Sequence, residues 1–233
     1  MLDRNIPYEG SPAIVAVNGF FPRVYGWMTA GLVLTALASA LTLSSPTLLQ
    51  AIFGNKMLFF GLMIGELALV VALSAAINRI GATTATLMFL LYSALNGITF
   101  AAIFVVYTES SIAGTFLITA GTFAAMSLYG AATKRDLTGL GSFMFMGLVG
   151  IIIASLVNIF MQSAMITWVV SYLGVLVFVG LTAYDTQKLK RIGQQGFADG
   201  SSLQKAAILG ALTLYLDFIN LFLMLLRVLG DRR

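Results

Sequence analysis

Two aspartates stand in segments that are otherwise composed for a lipid environment. Residues 166–184 carry no charge, and Asp185 follows at the end of the same apolar run. Asp217 lies alone within a second apolar run, where the nearest basic residues along the chain are Lys205 and Arg227. A charge at bilayer depth costs several kcal/mol, so each carboxyl group is expected to face a bundle interior, a partner or water.

Helical spacing places Asp217 on a stripe with other small and polar residues. The members follow one another at intervals of three or four positions, which puts them on one side of an α-helix. They are Gly210, Thr213, Asp217 and Asn220. This stripe is expected to face inward, with the larger apolar residues pointing in other directions. Those residues are Leu214, Leu216, Phe218 and Leu223.

Asp185 shares a helix face in the same way. The other members of that face are Gly174, Phe178 and Thr182. Asp185 lies at the end of its apolar run, about one turn before Lys188. Bonding to loop amides or to Lys188 is therefore an alternative, purely structural explanation for this residue.

Two inward carboxyl groups on neighbouring helices would form a proton-sensitive pair. If Asp185 and Asp217 approach each other, like charges in a low dielectric cannot both ionise cheaply, so one proton is shared. The protonated pair joins the two helices by a hydrogen bond, whereas the deprotonated pair repels and opens a path or recruits a cation. The expected sign is closure in acid and opening in alkali.

The same carboxylates predict a weak, transient Ca²⁺ site at Asp185 and Asp217. Ca²⁺ takes about six to eight oxygen ligands, and two carboxylates supply at most about four. Thr182, Thr213, Asn220, backbone carbonyls or water would supply the others, an arrangement that suits permeation better than storage. No cofactor other than this transported or transiently bound ion is expected. The chain has no cysteine and no histidine, which excludes disulfides and ordinary zinc or haem ligation.

Several polar residues are candidates for supporting roles. Arg79 ends the second apolar segment and is expected on the same membrane side as Asp185, where it either orients the aspartate pair or anchors a helix among lipid headgroups. Glu66 either pairs with a neighbouring helix or lies protonated in the bundle, as an auxiliary group or a structural one. Asn96 and Asn158 are expected to form hydrogen bonds between helices.

The elements that position these residues are membrane-spanning helices. The chain has 233 residues, of which 59% are hydrophobic and 9% charged. A span needs about 20 mostly apolar residues, and seven such runs predict an all-α integral membrane protein with seven transmembrane helices. The runs are 23–44, 57–78, 83–107, 112–132, 142–161, 166–189 and 206–227. They divide the chain into an N-terminal cytoplasmic segment, 1–22, and a transmembrane domain, 23–230.

The distribution of basic residues predicts the orientation. A cytoplasmic N-terminus puts nine lysines and arginines inside and four outside, which favours an external C-terminus. The net charge of +4 is explained by this topology, so no nucleic-acid partner is expected. The lipid bilayer, Ca²⁺ and protons are the expected partners.

Small residues recur at spacings typical of close helix packing. GLMIG (61–65) is a GxxxG motif, and GTFAA (121–125) and GIIIA (150–154) are related small-xxx-small motifs. Helices in lipid associate through such faces, so these motifs are expected to lie at helix contacts.

Four segments resemble the Bax inhibitor-1 family, also called the TMBIM family, in a bacterial form. The resemblance extends from about residue 20 to the C-terminus, and AYDTQ and ALNG are its most specific parts. The segments are LYSALNGITFAAIFVVYT (91–108), SLYGAATKRDLTGLGSF (127–143), FVGLTAYDTQKLK (178–190) and YLDFINLFLMLLR (215–227).

The resemblance implies a seven-helix bundle in the bacterial inner membrane, with the last helix surrounded by the others. It also implies a pH-sensitive calcium leak channel gated by a di-aspartyl pair, which corresponds to Asp185 and Asp217. The family's pair is oriented by an arginine of the second helix, and Arg79 is the arginine available here. Similar bacterial members are linked to a membrane-bound protease, so an alternative is a membrane-embedded regulator without ion conduction. The cell-death role of animal members is not carried over.

An enzyme is not expected. Two aspartates on successive helices are also found in intramembrane aspartyl proteases, where they form an acid/base pair. Those enzymes carry GxGD at the second aspartate and a Pro-Ala-Leu motif, whereas this chain has LYLD and no proline after residue 46. A retinal receptor is excluded by the lack of an internal lysine in the last span.

Overall fold

The computed structural model describes residues 12–233 and the side chains of residues 19–233. Within this range the chain folds into helices, seven of which are long and apolar enough to cross a membrane. The helices are α1 (Pro12–Leu43), α2 (Pro46–Phe53), α3 (Lys56–Ala76), α4 (Ala82–Val106), α5 (Glu109–Ala132), α6 (Thr138–Met161), α7 (Ala164–Gln195) and α8 (Gly200–Leu229). The predicted all-α membrane protein with seven spanning helices is confirmed.

The helix bounds differ from the predicted spans mainly at their ends. α1 begins at Pro12 and contains Pro22, although the span was predicted to begin at residue 23. α7 continues to Gln195, beyond the predicted end at 189. Hydropathy marks the part of a helix that lipid surrounds, whereas a helix can continue into the polar surface layer. The first 11 residues of the predicted N-terminal segment lie outside the described range.

The short helix α2, between the first two spanning helices, was not predicted. Its start follows a known pattern, since the Ser45 side chain accepts a hydrogen bond from the Leu48 amide and Pro46 occupies the first turn. A polar cap also begins four of the spanning helices, because the first amides of a helix have no partner within it. The capping residues are Asn55, Thr108, Ser163 and Asp199.

α8 is the most deeply buried of the seven spanning helices. In its most apolar stretch 72% of the residues are buried, against 6% to 39% in the others. It packs against α1, α3, α4, α5 and α7. Leu214 and Phe218 are as buried as Asp217, so the prediction of a single inward stripe on this helix is wrong. A helix enclosed on most sides buries apolar and polar faces alike.

The glycines at the tight helix contacts are not those of the predicted motifs. A Cβ added to Gly61, Gly65, Gly121 or Gly150 would meet nothing nearby, so the prediction of close helix packing is wrong for these four glycines. A Cβ on Gly97 would instead clash with the backbone of Thr35 in α1. Contact depends on which face of a helix meets a neighbour, and a spacing motif alone does not specify that face.

Candidate functional site

A cavity of about 620 Å³ lies beside α8, and α3, α6 and α7 form its other main walls. Three acids line it, each from a different helix: Glu66, Asp185 and Asp217. We call it the acid cavity. Its α3 and α6 walls hardly pack against each other, so apolar side chains such as Leu67 and Ile152 flank it on the lipid-facing side.

Asp185 of α7 and Asp217 of α8 are neighbours in the wall of the acid cavity. Asp185 is 9% exposed and Asp217 is 5% exposed. Asp217 Oδ2 has no hydrogen-bond donor among the described residues. Two carboxylates are both acceptors, so a hydrogen bond between them requires a proton on one. The geometry therefore suits a carboxyl pair that shares a proton.

A second cavity adjoins the pair at the end of the bundle where α7 and α8 connect. This loop-end cavity has a volume of about 330 Å³, and Lys188 and Lys205 line it. Asp185 and Thr213 line both cavities and therefore lie between them. Lys188 and Lys205 thus share a cavity with Asp185, and Lys188 lies about one turn further along α7.

The predicted auxiliary residues separate into two groups. Thr213 and Asn220 line the acid cavity, although the hydroxyl and amide groups donate to the backbone carbonyls of Leu209 and Leu216 on their own helix. Thr182 does not line either cavity, and its hydroxyl donates to the Phe178 carbonyl over 2.7 Å. A buried threonine in a helix commonly satisfies its hydroxyl in this way.

Arg79 lies on the exposed turn between α3 and α4. Its side chain forms no ion pair with either aspartate in the part of the chain that the structure describes. The two residues before it, Ile77 and Asn78, line the loop-end cavity. The structure therefore places the arginine near the entrance of that cavity and not beside the carboxyl pair.

Comparison with known proteins identifies the family. The family model described as "Inhibitor of apoptosis-promoting Bax1" matches residues 17–233. This chain belongs to the Bax inhibitor-1 family. It is 56% identical over 215 residues to the inner membrane protein YbhL of Escherichia coli strain K12, covering 92% of both chains.

Other bacterial proteins are similar to this Bax inhibitor-1 family member. An uncharacterized protein of Borreliella burgdorferi is 48% identical over 220 residues, with 94% of this chain and 95% of the relative covered. Protein RP147 of Rickettsia prowazekii is 43% identical over 213 residues, covering 91% of this chain and 89% of the relative. With seven apolar helices and an inner membrane relative, the chain fits a multi-pass protein of the bacterial inner membrane.

On the α4 side of the acid cavity, Glu66 of this family member belongs to a hydrogen-bonded network. Asn96 Nδ2 donates to Glu66 Oε2 over 3.4 Å, and Thr99 Oγ1 donates to Glu66 Oε1 over 3.1 Å. Tyr215 donates to Asn96 Oδ1 over 3.1 Å, and its hydroxyl lies 2.6 Å from Thr35 Oγ1. The network joins α3, α4, α8 and α1.

Sequence reasoning missed Tyr215, Thr35 and Thr99. A tyrosine in the middle of an apolar span was the available signal, since tyrosines of spanning helices concentrate near the membrane surfaces. The predicted role of the asparagines is confirmed. Asn96 bridges three helices, and Asn158 of α6 donates to Thr167 Oγ1 of α7 over 2.8 Å.

The site is not arranged as a tight metal centre. The described residues contain no group of three acids close enough to hold a metal ion together, although three acids line one cavity. Carboxylate, amide and hydroxyl oxygens are the ligands that Ca²⁺ prefers. Such a dispersed set of oxygens suits passing contacts with an ion better than long residence.

Proposed function

We propose that this chain is a pH-sensitive calcium leak channel of the bacterial inner membrane, gated by Asp185 and Asp217. One observation carries the proposal: Asp185 and Asp217, from neighbouring helices, line one buried cavity, and Asp185 also lines the cavity that adjoins it. A buried pair of this kind costs stability, because neither a cation nor a donor satisfies Asp217 Oδ2 in the described chain. A group retained at such a cost is a candidate for function.

The proposed ion path runs from the loop-end cavity to the acid cavity. Asp185 and Thr213 line both, so an ion moving between them passes these two side chains. Beyond them, Asp217, Asn220 and Glu66 line the acid cavity. The loop-end cavity lies on the predicted cytoplasmic side, where the pair would sense the pH of the cell interior.

The pair supplies a gate with a defined sign. In acid, a proton on one carboxyl group permits the hydrogen bond between α7 and α8 and keeps the cavities separate. In alkali, both groups carry charge, and their repulsion in a low dielectric drives the helices apart or draws in a cation. Flux is therefore expected to rise with pH.

The test is Ca²⁺ influx into dye-loaded proteoliposomes over a pH series from acid to alkaline, because a coupled carboxyl pair loses its protons in two separate steps. Wild-type flux should increase several-fold across this range. Asp185→Asn and Asp217→Asn should each bring the ratio of alkaline to acid flux to about one, because a single carboxyl group cannot share a proton with an amide in the same way. Asp231→Asn, an exposed change of the same chemistry, is the matched control and should leave the ratio unchanged.

Two results would overturn the proposal. One is wild-type vesicles that are no leakier than protein-free vesicles at any pH. The other is a pH dependence that survives both asparagine substitutions, provided that circular dichroism shows the variants to be folded. The second result would place the sensor elsewhere.

The second candidate function is a membrane-embedded regulator of another membrane protein, such as a quality-control protease. The observation that favours it is α6, which has only 6% of its most apolar stretch buried within the bundle. Such a helix offers a broad face to another spanning helix. Absence of any conduction, together with folded protein, would favour this candidate, and the aspartates would then act as a latch between α7 and α8.

A further inference from the structure

Another cavity, distinct from the acid cavity and the loop-end cavity, lies on the opposite face of α8 from the acid cavity. It has a volume of about 300 Å³ and is bounded by α1, α4, α5 and α8. Five phenylalanines line it. They are Phe100, Phe104, Phe116, Phe218 and Phe222. We call it the phenylalanine cavity, and its size and apolar lining are those of a site for a small apolar ligand group.

One polar group in this wall has no partner. Ser39 of α1 is 2% exposed, and its hydroxyl has no hydrogen-bond partner among the described residues. Other hydroxyls of the same helix differ, since Thr35 and Thr42 lie within 2.9 Å of the carbonyl oxygen four residues earlier. A buried hydroxyl without a partner is unfavourable. Because Ser39 lines the cavity, an acceptor bound there would satisfy its hydroxyl.

The cavity opens sideways between α1 and α5. Both helices pack against α8 but hardly against each other. Exposed apolar side chains flank the gap, including Val33 and Leu37 on α1 and Leu117 on α5. A molecule therefore enters from the bilayer and not from water, which restricts the occupant to a membrane component.

The shape of the cavity favours a chain over a compact ring. Its α1 wall runs from Thr29 to Ser39, and ten residues of helix extend about 15 Å. Ser39 lies about 6 Å before the end of α1 at Leu43, close to the membrane surface. Thr29 lies near the middle of the span, so the deep part of the cavity reaches the centre of the bilayer.

We propose that the phenylalanine cavity binds one acyl chain of an ester-linked membrane lipid. The chain lies between α1 and α5 against the phenylalanine rings, and its ester carbonyl accepts the hydrogen bond of the Ser39 hydroxyl. A lipid ester has its acceptor at one end of a long apolar chain and at the depth of Ser39. This site is separate from the proposed ion path and does not depend on it.

The acyl chain would also contact the network that ends at Glu66. Thr35 lines the phenylalanine cavity one turn before Ser39, and its hydroxyl lies 2.6 Å from that of Tyr215. Tyr215 in turn donates to Asn96, the partner of Glu66. Lipid binding on one face of α8 thereby reaches the acid cavity on the other.

The test uses the full chain in nanodiscs that contain a phosphatidylethanolamine with a diazirine in its acyl chain. After irradiation, mass spectrometry of peptides should locate the adducts on the cavity segments of α1 and α5. Ala36→Phe introduces a ring into the cavity wall and should lower this labelling several-fold. Ala30→Phe changes an exposed alanine of the same helix outside the cavity, and should leave it unchanged.

Ser39→Ala is the second, milder variant and removes only the hydroxyl. It should lower by several-fold the amount of lipid that native mass spectrometry finds retained by the protein in detergent. If Ala36→Phe does not fold, this retention measurement decides the question. Equal retention by wild type and Ser39→Ala would remove the role of the ester carbonyl and overturn the proposal.

Two further outcomes would also overturn it. Labelling that is spread evenly over lipid-facing residues away from the cavity, such as Leu128, and is unchanged by Ala36→Phe, would show ordinary boundary lipid. Loss of labelling on addition of decylubiquinone, but not of excess unlabelled phosphatidylethanolamine, would show a site for a ring ligand. Competition by the unlabelled lipid alone would support the acyl-chain site.

Discussion

Buried polar groups on the two faces of α8 differ in whether they have hydrogen-bond partners. Toward α1 and α4, Tyr215 is hydrogen-bonded to Thr35 over 2.6 Å and to Asn96 over 3.1 Å. Toward the acid cavity, Asp217 is a neighbour of Asp185 of α7, and its Oδ2 has no donor in the described chain. Tyr215 and Asp217 are two positions apart along the helix, yet the Tyr215 hydroxyl has hydrogen-bond partners and Asp217 Oδ2 has none.

This difference indicates which of the two residues contributes to stability and which to function. A buried polar network in which every group has a partner fixes how helices meet and contributes to folding. A buried carboxyl group without a donor lowers stability, so folding gives no reason to retain it. The network around Tyr215 is therefore expected to be structural, and Asp217 is expected to be the functional group.

The largest effect on stability is expected where α1 and α4 touch. A Cβ at Gly97 would clash with the backbone carbonyl of Thr35 and with Ala38, so Gly97→Ala must push the two helices apart. We expect the free energy of unfolding to fall by about 3 kcal/mol, as overpacking of a core does. Titration with sodium dodecyl sulfate in mixed micelles measures this quantity.

Gly65→Ala is the matched control on the open face of the bundle. Nothing lies within 4 Å of a Cβ at this position. Alanine favours the helix over glycine by about 1 kcal/mol, so the variant should be at least as stable as the wild type. Equal losses at Gly97 and Gly65 would contradict the difference in packing between the two sides.

Removing the Tyr215 hydroxyl should have the next largest effect. Tyr215→Phe keeps the ring but leaves Thr35 and Asn96 without their shared partner. The free energy of unfolding should fall by about 2 kcal/mol, since buried polar groups lose their hydrogen bonds. Tyr129→Phe, which removes a hydroxyl from a 44% exposed tyrosine, should cost much less in the same titration. A similar cost for both would mean that the network contributes little.

The sequence predicts the spanning helices and the two aspartates better than it predicts how these helices and side chains meet. Seven apolar runs of sufficient length specify seven spanning helices, because the bilayer fixes the length that each must have. Asp185 and Asp217 could be identified because a charge in an apolar run is costly wherever the run lies. That they meet between two cavities depends on how α7 and α8 are rotated, which hydropathy does not specify.

The remaining features depend on contacts between distant segments. The link from Glu66 to Tyr215 joins residues 149 positions apart through Asn96, and no local pattern indicates it. From its membrane side and the family resemblance, Arg79 was predicted either to orient the aspartate pair or to anchor a helix among lipid headgroups. A shared membrane side does not by itself bring two side chains into contact. The GxxxG motif of α3 predicted a packed face where the structure has an exposed one.

Asp217→Leu should not lower the free energy of unfolding as Tyr215→Phe does. Leucine fills a similar space and removes the carboxyl group that has no donor, so the free energy of unfolding should rise or change by less than about 1 kcal/mol. The same titration measures it, and Ca²⁺ flux in proteoliposomes should lose its pH dependence. A loss of stability as large as that of Tyr215→Phe would mean that Asp217 is structural after all.

The smallest effect is expected at the exposed ion pair of Asp136 with Arg191. Hydrogen bonds from the Thr138 side chain and from Arg191 hold the pKa of Asp136 below its usual range, so its contribution is present at neutral pH and is lost only as the pH falls through that lowered value. Water screens such a pair, so Asp136→Asn should leave the thermal midpoint unchanged within error at neutral pH.

Buried Gln187 also joins the loop between α5 and α6 to α7. Its side chain accepts from the Leu137 amide and donates to the Arg135 carbonyl. Gln187→Leu should therefore lower the thermal midpoint by more than Asp136→Asn does. The reason is that a buried polar contact contributes more to stability than an exposed ion pair, whatever its charge.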